Sequence, residues 1–158
     1  MRPAIAAILG ALACACVGHA AHADWLYAKW GMTPEQVAAA SRGTVTVIPK
    51  AKRTQLTDLK MEHGAEGTYT DGKLTLRVNF SFDTSGGGLA MVGYGAMDPA
   101  QNTMLQDWMA QKFGPPQSTG GLPAFGMQTF HWRGTDEIDL TISTGDSAFV
   151  LQSQAERK

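Results

Sequence analysis

Imidazole side chains are the first candidates for chemistry in this sequence, because they exchange a proton near neutral pH. His63 and His131 stand outside the N-terminal leader described below. A hairpin would place His131 beside Asp139, and a carboxylate that orients a histidine is the arrangement of a general base. The nearby hydroxyls, Ser143 and Ser147, lack the strand–turn–helix motif of a hydrolase nucleophile. The pattern favours an ordinary cross-strand pair and leaves a small hydrolase using His131 as an alternative.

Acidic residues could add metal or glycosidase chemistry, but their spacing argues against both. We predict that His63 lies on the apolar face of a strand in which it alternates with Glu62 and Glu66, so we expect these carboxylates on the opposite face. The acidic run from Asp136 to Asp139 lies on one exposed strand, whereas glycosidases need two carboxyls across a cleft. It also lacks the spaced oxygen ligands of a calcium loop. We therefore assign no catalytic residue, no metal ligand and no cofactor.

The first 23 residues have the organisation of a secretory signal peptide. Arg2 supplies the positive start, residues 4–17 are apolar, and Ala21-His22-Ala23 is a small-x-small cleavage site before Asp24. The apolar stretch is shorter than a membrane span. We predict a periplasmic or secreted protein formed by residues 24–158.

The net charge and the positions of the cysteines exclude some classes of partner and of chemistry. The formal net charge is −1, without the basic excess of nucleic-acid-binding proteins. Both cysteines, Cys14 and Cys16, lie in the leader, so the expected mature chain has no disulfide or thiol chemistry. The segment before Cys14 also resembles a lipoprotein cleavage box, which makes a lipid anchor at Cys14 the alternative to cleavage after Ala23. We expect no transmembrane segment.

Two helices have similar predicted starts. Thr33 precedes Pro34 and stands three residues before Gln36, the pattern of a capping box at the start of a helix over residues 34–42. Asp98 and Gln101 repeat it before a helix over residues 99–113, whose apolar residues recur at helical spacing.

Alternating residues predict about seven strands, four between the helices and three after the second. Leu74 to Phe82 alternate regularly between apolar and polar side chains, and Asp71-Gly72 before them is typical of a two-residue hairpin turn. That turn would place Met61 opposite Phe82. We predict one α+β domain over residues 24–158, with two short helices packed on one face of an antiparallel meander sheet.

The segment from Trp30 to Val37, Trp-Gly-Met-Thr-Pro-Glu-Gln-Val, resembles the opening of certain small exported bacterial modules. These are the outer-membrane assembly lipoproteins and the proteins with a β-lactamase-inhibitor-like fold. The resemblance implies short helices on an antiparallel sheet and a function in binding other proteins. It identifies neither a target nor a functional residue.

The connection from Gly114 to Gly126 is long and holds Leu122 and Phe125 among glycines and prolines. Long connections in compact domains are often functional, and exposed apolar side chains can anchor an interface. We predict a non-catalytic exported binding module whose partner is another exported protein. The predicted contact surface is the exposed sheet face together with this connection, where Leu122 and Phe125 are the contact residues. Two alternatives remain: these side chains cap the core instead, or the module inhibits a secreted enzyme.

Intact-mass spectrometry of the exported protein tests the expected processing. Cleavage after Ala23 predicts the mass of residues 24–158 with no added group. A chain that begins at Cys14 and carries acyl groups would instead establish the lipid anchor.

Overall fold

The computed structural model describes residues 25–144 and 147–155, so the expected leader and Cys14 lie outside the described residues. Strands make up most of the regular structure: β1 Val45–Val47, β2 Gln55–Leu56, β3 Met61–Asp71, β4 Leu74–Asp83, β5 Leu89–Ala96, β6 Ser118–Leu122, β7 Met127–Arg133, β8 Asp136–Ser143 and β9 Ala148–Gln154. The α-helices of this part of the chain are α1 Pro34–Ala40 and α2 Asn102–Phe113. Short 3₁₀ turns include Pro99–Gln101 and Pro123–Phe125.

The described strands form one antiparallel sheet in the order β1-β3-β4-β5-β9-β8-β7-β6, and β2 also pairs with β3. The strands from β3 to β5 form one meander and those from β6 to β9 form another. The meanders join where β5 pairs with β9, with Met91 opposite Ser153 and Tyr94 opposite Val150. Helix α2 lies in the connection between the two meanders.

The predicted α+β organisation, with a helix, about four strands, a helix and about three strands, is wrong. Nine strands are present in the described residues and the sheet dominates the fold, with only two short α-helices there. The two additional strands are β2 and β6. Strand β2 has two residues, too few to show alternation. Strand β6 is Ser-Thr-Gly-Gly-Leu with every side chain exposed, so burial imposes no apolar period on it.

The predicted turn of the β3–β4 hairpin is also wrong, by a shift of the turn along the chain. Asp71 remains in the strand opposite Leu74, and the turn consists of Gly72 and Lys73. The Asp71 carboxylate accepts a hydrogen bond from Trp108 Nε1 of α2 at 2.9 Å. This contact with a distant helix helps to hold Asp71 within the sheet.

The shifted turn also changes which residues of β3 and β4 lie opposite each other. Met61 lies opposite Asp83 rather than Phe82, and the register slips between His63 and Ala65. Such an irregularity reverses the alternation of side chains on the two faces. In contrast, the register predicted around His131 is confirmed, because a three-residue turn keeps His131 opposite Asp139.

The predicted capping box is present at the start of α1, whereas only part of the one predicted before α2 is present. The Thr33 hydroxyl accepts from Gln36 N at 3.3 Å, while Gln36 Oε1 accepts from Thr33 N at 2.8 Å, which confirms the capping box. The Asp98 carboxylate accepts from Ala100 N at 2.9 Å. Gln101, however, does not complete a second box, because its amide bonds the backbone around the start of β4.

Aromatic packing closes the core face of the sheet. The buried Trp25 ring has centroid distances of 5.5–5.7 Å to Tyr27, Tyr69, Phe80 and Tyr94. The first described segment is thus part of the core rather than a free arm.

A chain of polar side chains crosses this core. The Asp136 carboxylate is 4% exposed and accepts from Trp30 Nε1 at 2.9 Å and from Gln152 Nε2 at 2.6 Å. Gln152 Oε1 in turn accepts from the Tyr94 hydroxyl at 3.3 Å. Burial, reinforced by the negative charge of Asp136, raises the pKa of Tyr94 above its ordinary value, so this hydroxyl stays protonated as a donor.

Asp136→Ala is expected to lower the free energy of unfolding by about 2 kcal/mol or more, because the Trp30 and Gln152 donors lose their acceptor. Urea denaturation measures the change. Glu137→Ala, at the exposed next position of β8, is the control and is expected to change stability by less than about 0.5 kcal/mol. Equal effects of the two variants would contradict a structural role for the buried chain.

Candidate functional site

The segment predicted as a long connection forms the edge of the sheet. Strand β6 pairs with β7, Ser118 opposite His131 and Leu122 opposite Met127, and it is last in the strand order. Within the described residues no backbone hydrogen bond reaches the outer side of β6. Its free N–H and C=O groups therefore face outward, as on any uncovered edge strand.

The two predicted contact residues lie at the end of β6, which Leu122 closes, and in the turn after it, which contains Phe125. Leu122 is 56% exposed and Phe125 is 74% exposed, so neither caps the core. Their partner contacts stay a prediction. We call Ser118–Leu122 with Pro123–Phe125 the β6 edge.

Local backbone geometry at Gly126 holds the turn after β6 against the end of β8. Gly126 has a φ of +62°, which glycine adopts without the strain of a side chain, and a Cβ there would collide with Thr144. Gly126 N donates to Pro123 O at 2.9 Å, and Gly126 O accepts from Thr144 N at 3.0 Å. These bonds tie the turn to the end of β8 and preorganise the tip.

The predicted histidine–aspartate pair lies on the sheet face opposite the helices, here called the outer face. His131 Nδ1 is 2.7 Å from Asp139 Oδ1, and Arg133 Nη2 is 2.7 Å from the same oxygen. Arg133 Nη2 is also 3.2 Å from His131 Nδ1. A guanidinium can only donate, so with Nδ1 donating to Asp139 that approach joins two donors and is not a hydrogen bond. In the neutral ring, Nε2 is then the acceptor.

The surroundings of Asp139 favour its charged form. Partial burial opposes ionisation, but hydrogen bonds from Arg133 and His131 outweigh it and hold the pKa of Asp139 below its ordinary value. The charged carboxylate therefore accepts the hydrogen bond that orients the imidazole.

A hydrolytic site would need a hydroxyl bonded to that imidazole. Ser143 lies opposite Met127, four residues along β7 from His131, which is about 13 Å at a strand rise of about 3.3 Å. The Ser143 and Ser147 hydroxyls contact each other at 2.6 Å instead. Ser118 is opposite His131 but forms no hydrogen bond with it in the described chain. The cluster thus orients an imidazole without activating a hydroxyl.

His63 does not lie on the apolar face as predicted. The slip in β3 puts it opposite Ser81 on the outer face, with Nδ1 2.9 Å from the Ser81 hydroxyl. Glu66 now shares that face, opposite Asn79. Across residues 25–144 and 147–155, no group of three or more His, Cys, Asp or Glu side chains is placed to hold a metal ion.

The acidic side chains of the run from Asp136 to Asp139 lie in different surroundings. Asp136 is buried in the core chain, Glu137 is exposed, and Asp139 pairs with Arg133. They form no cleft with two facing carboxyls.

None of the described helices has the length and apolar character to cross a membrane.

Acid titration tests the Asp139 contacts. The pKa of Asp139 is lower in the folded protein than its ordinary value of 3.8, so the charged carboxylate stabilises the fold at pH values above 3.8. That stabilisation is lost as the pH falls through the pKa of the folded state. The unfolding free energy of the wild type minus that of Asp139→Asn is therefore expected to shrink as the pH falls below about 5. Denaturant titrations at several pH values measure it. Glu137→Gln controls for the loss of one carboxylate, and a difference that does not shrink below about pH 5 would reject the assignment.

Comparisons with known proteins identify no family. No protein-family model matches the sequence, and no curated protein matches it. Among solved structures, the chain is similar to YjgB of Bacillus subtilis, a DUF4309 family protein, with a TM-score of 0.45 and 16% identity over 78% of each chain. A likeness at this level assigns neither a family nor a function.

Proposed function

We propose that this protein is an exported, non-catalytic binding module that holds another exported protein at the β6 edge. The observation that carries the proposal is the placement of Leu122 and Phe125, both exposed, beside an edge strand that no other described strand covers. Large exposed side chains next to free backbone groups combine an apolar anchor with a template for strand pairing.

The composition of β6 supports this use of the edge. Proteins commonly block edge strands with lysine, proline or inward-pointing charges. Ser118–Leu122 contains none of these, and the nearest proline, Pro123, follows the strand. An extended partner segment could pair with the backbone of β6 while its side chains meet Leu122 and Phe125.

Preorganisation also supports the proposal. The turn at Pro123–Phe125 is tied to Thr144 through Gly126, so little conformational freedom remains to be lost on binding. The opening from Trp30 to Val37, which resembles exported modules that bind other proteins, agrees with this function. Export itself rests on the leader at residues 1–23.

The inhibitor alternative uses the same contact with a different consequence. A captured partner that is an enzyme and loses activity when bound would identify the module as an inhibitor. The hydrolase alternative has less support, because His131 contacts no hydroxyl nucleophile in the described chain.

Leu122→Ser combined with Phe125→Ser is expected to abolish capture of the partner from periplasmic extract and to change the melting temperature by less than about 2 °C, since neither side chain is buried. Affinity capture with mass spectrometry and thermal denaturation measure the two effects. Thr119→Lys, which puts a charge on the edge, is expected to weaken the same capture.

Leu59→Ser is the matched control, because Leu59 is also exposed, at 53%, and lies at the other end of the sheet before β3. It is expected to leave capture unchanged. A double variant that is strongly destabilised but still captures the partner would reject the β6 edge as the contact surface.

A further inference from the structure

A depression on the outer face lies at the centre of the sheet, away from the β6 edge. It has a volume of about 340 Å³, at the small end of the range for ligand clefts. Its floor is Gly93 and Gly95 of β5, and we call it the glycine trough. The side chains around it are His63, Arg77, Asn79, Met91, Met97, Phe149 and Leu151.

The trough exists because two consecutive outer-face positions of a central strand lack side chains. Asn79 lies opposite Gly93 on one side, and Leu151 lies opposite it on the other. Arg77 lies opposite Gly95. Glycine inside a strand often marks a close approach by another group, and here the neighbouring side chains rise as walls around the gap.

One wall carries polar groups without a partner. Among the described residues, the side chains of Arg77 and Asn79 form no hydrogen bond or ion pair, whereas Arg53 pairs with Glu62 and Arg133 with Asp139. Glu66 stands opposite Asn79 on this face but forms no ion pair with Arg77. The polar wall thus presents a free cation and a free amide.

The other wall is apolar and exposed. Met97 is 49% exposed, Phe149 44% and Leu151 39%. Methionine adapts its shape to apolar ligands, and aromatic and branched side chains give large contact areas. Apolar walls with a few convergent polar groups are typical of small-molecule sites.

We propose that the glycine trough binds an amphipathic anion: a small molecule with an apolar body along Met97, Phe149 and Leu151 and one carboxylate at Arg77 and Asn79. Arginine matches a carboxylate with two parallel hydrogen bonds. The site is separate from the partner contact, since three strands, β9, β8 and β7, lie between β5 and β6.

Isothermal titration of residues 24–158 with octanoate, octan-1-ol and octylammonium tests the proposal. Saturable binding of octanoate is expected, with the alcohol at least about tenfold weaker and the ammonium weaker still. Arg77→Gln is expected to reduce octanoate affinity about tenfold, to near that of the alcohol. Arg42→Gln, which removes an exposed arginine elsewhere, is expected to have no effect.

The Gly93→Val variant tests whether the empty space above Gly93 is needed for ligand binding. A Cβ at Gly93 would meet only Leu151 Cδ2 at 3.5 Å and Val150 O at 3.9 Å, which are ordinary contacts. At Gly95 it would lie 2.7 Å from Ala148 O, so that position is less suitable. The valine is expected to fill the trough and abolish octanoate binding while circular dichroism remains that of the wild type.

Several results would overturn the proposal: no saturable octanoate binding, equal affinity for octanoate and octan-1-ol, or unchanged binding in Arg77→Gln. Unchanged octanoate binding in folded Gly93→Val would do so too. If Gly93→Val does not fold, Arg77→Gln and its control Arg42→Gln still test the proposal. Sedimentation with phosphatidylglycerol vesicles in the absence of octanoate binding would identify a membrane surface instead.

Discussion

The buried carboxylate of Asp136 is the constraint on which the described fold depends most. It accepts hydrogen bonds from Trp30, in the segment before α1, and from Gln152 of β9. Gln152 extends the contact to Tyr94 of β5. A carboxylate removed from water is tolerated only when such donors surround it, so this chain requires the N-terminal segment, the first meander and the second meander to be in place together.

The division of the sheet into two faces follows from that core. Trp25 and the rings around it fill the face that α2 covers. The outer face and the β6 edge carry the two binding sites that we propose. The charged residues of the outer face differ in their contacts: Asp139 is engaged by Arg133, whereas Arg77 is free of such a contact in the described chain.

Two hairpins show how far local patterns determine register. The three-residue turn between Arg133 and Glu137 keeps His131 opposite Asp139, as the sequence predicts. The turn after Asp71 differs, since its carboxylate is bonded by Trp108 from a helix far along the chain, and no local pattern contains that contact. The slip near His63 then moves a histidine to the other face and next to the glycine trough.

The sequence by itself determined the strongly patterned elements: β4, the capped start of α1 at Thr33 and the hairpin that joins His131 to Asp139. These depend on neighbouring residues and on alternation, which short-range physics controls. It also singled out Leu122 and Phe125 as apolar residues in a glycine-rich segment. Only the tertiary structure decided that this segment is an edge strand and that Gly93 and Gly95 form a depression. Both depend on which strands become neighbours, and strand order is set by long-range burial and hydrogen bonding rather than by local spacing.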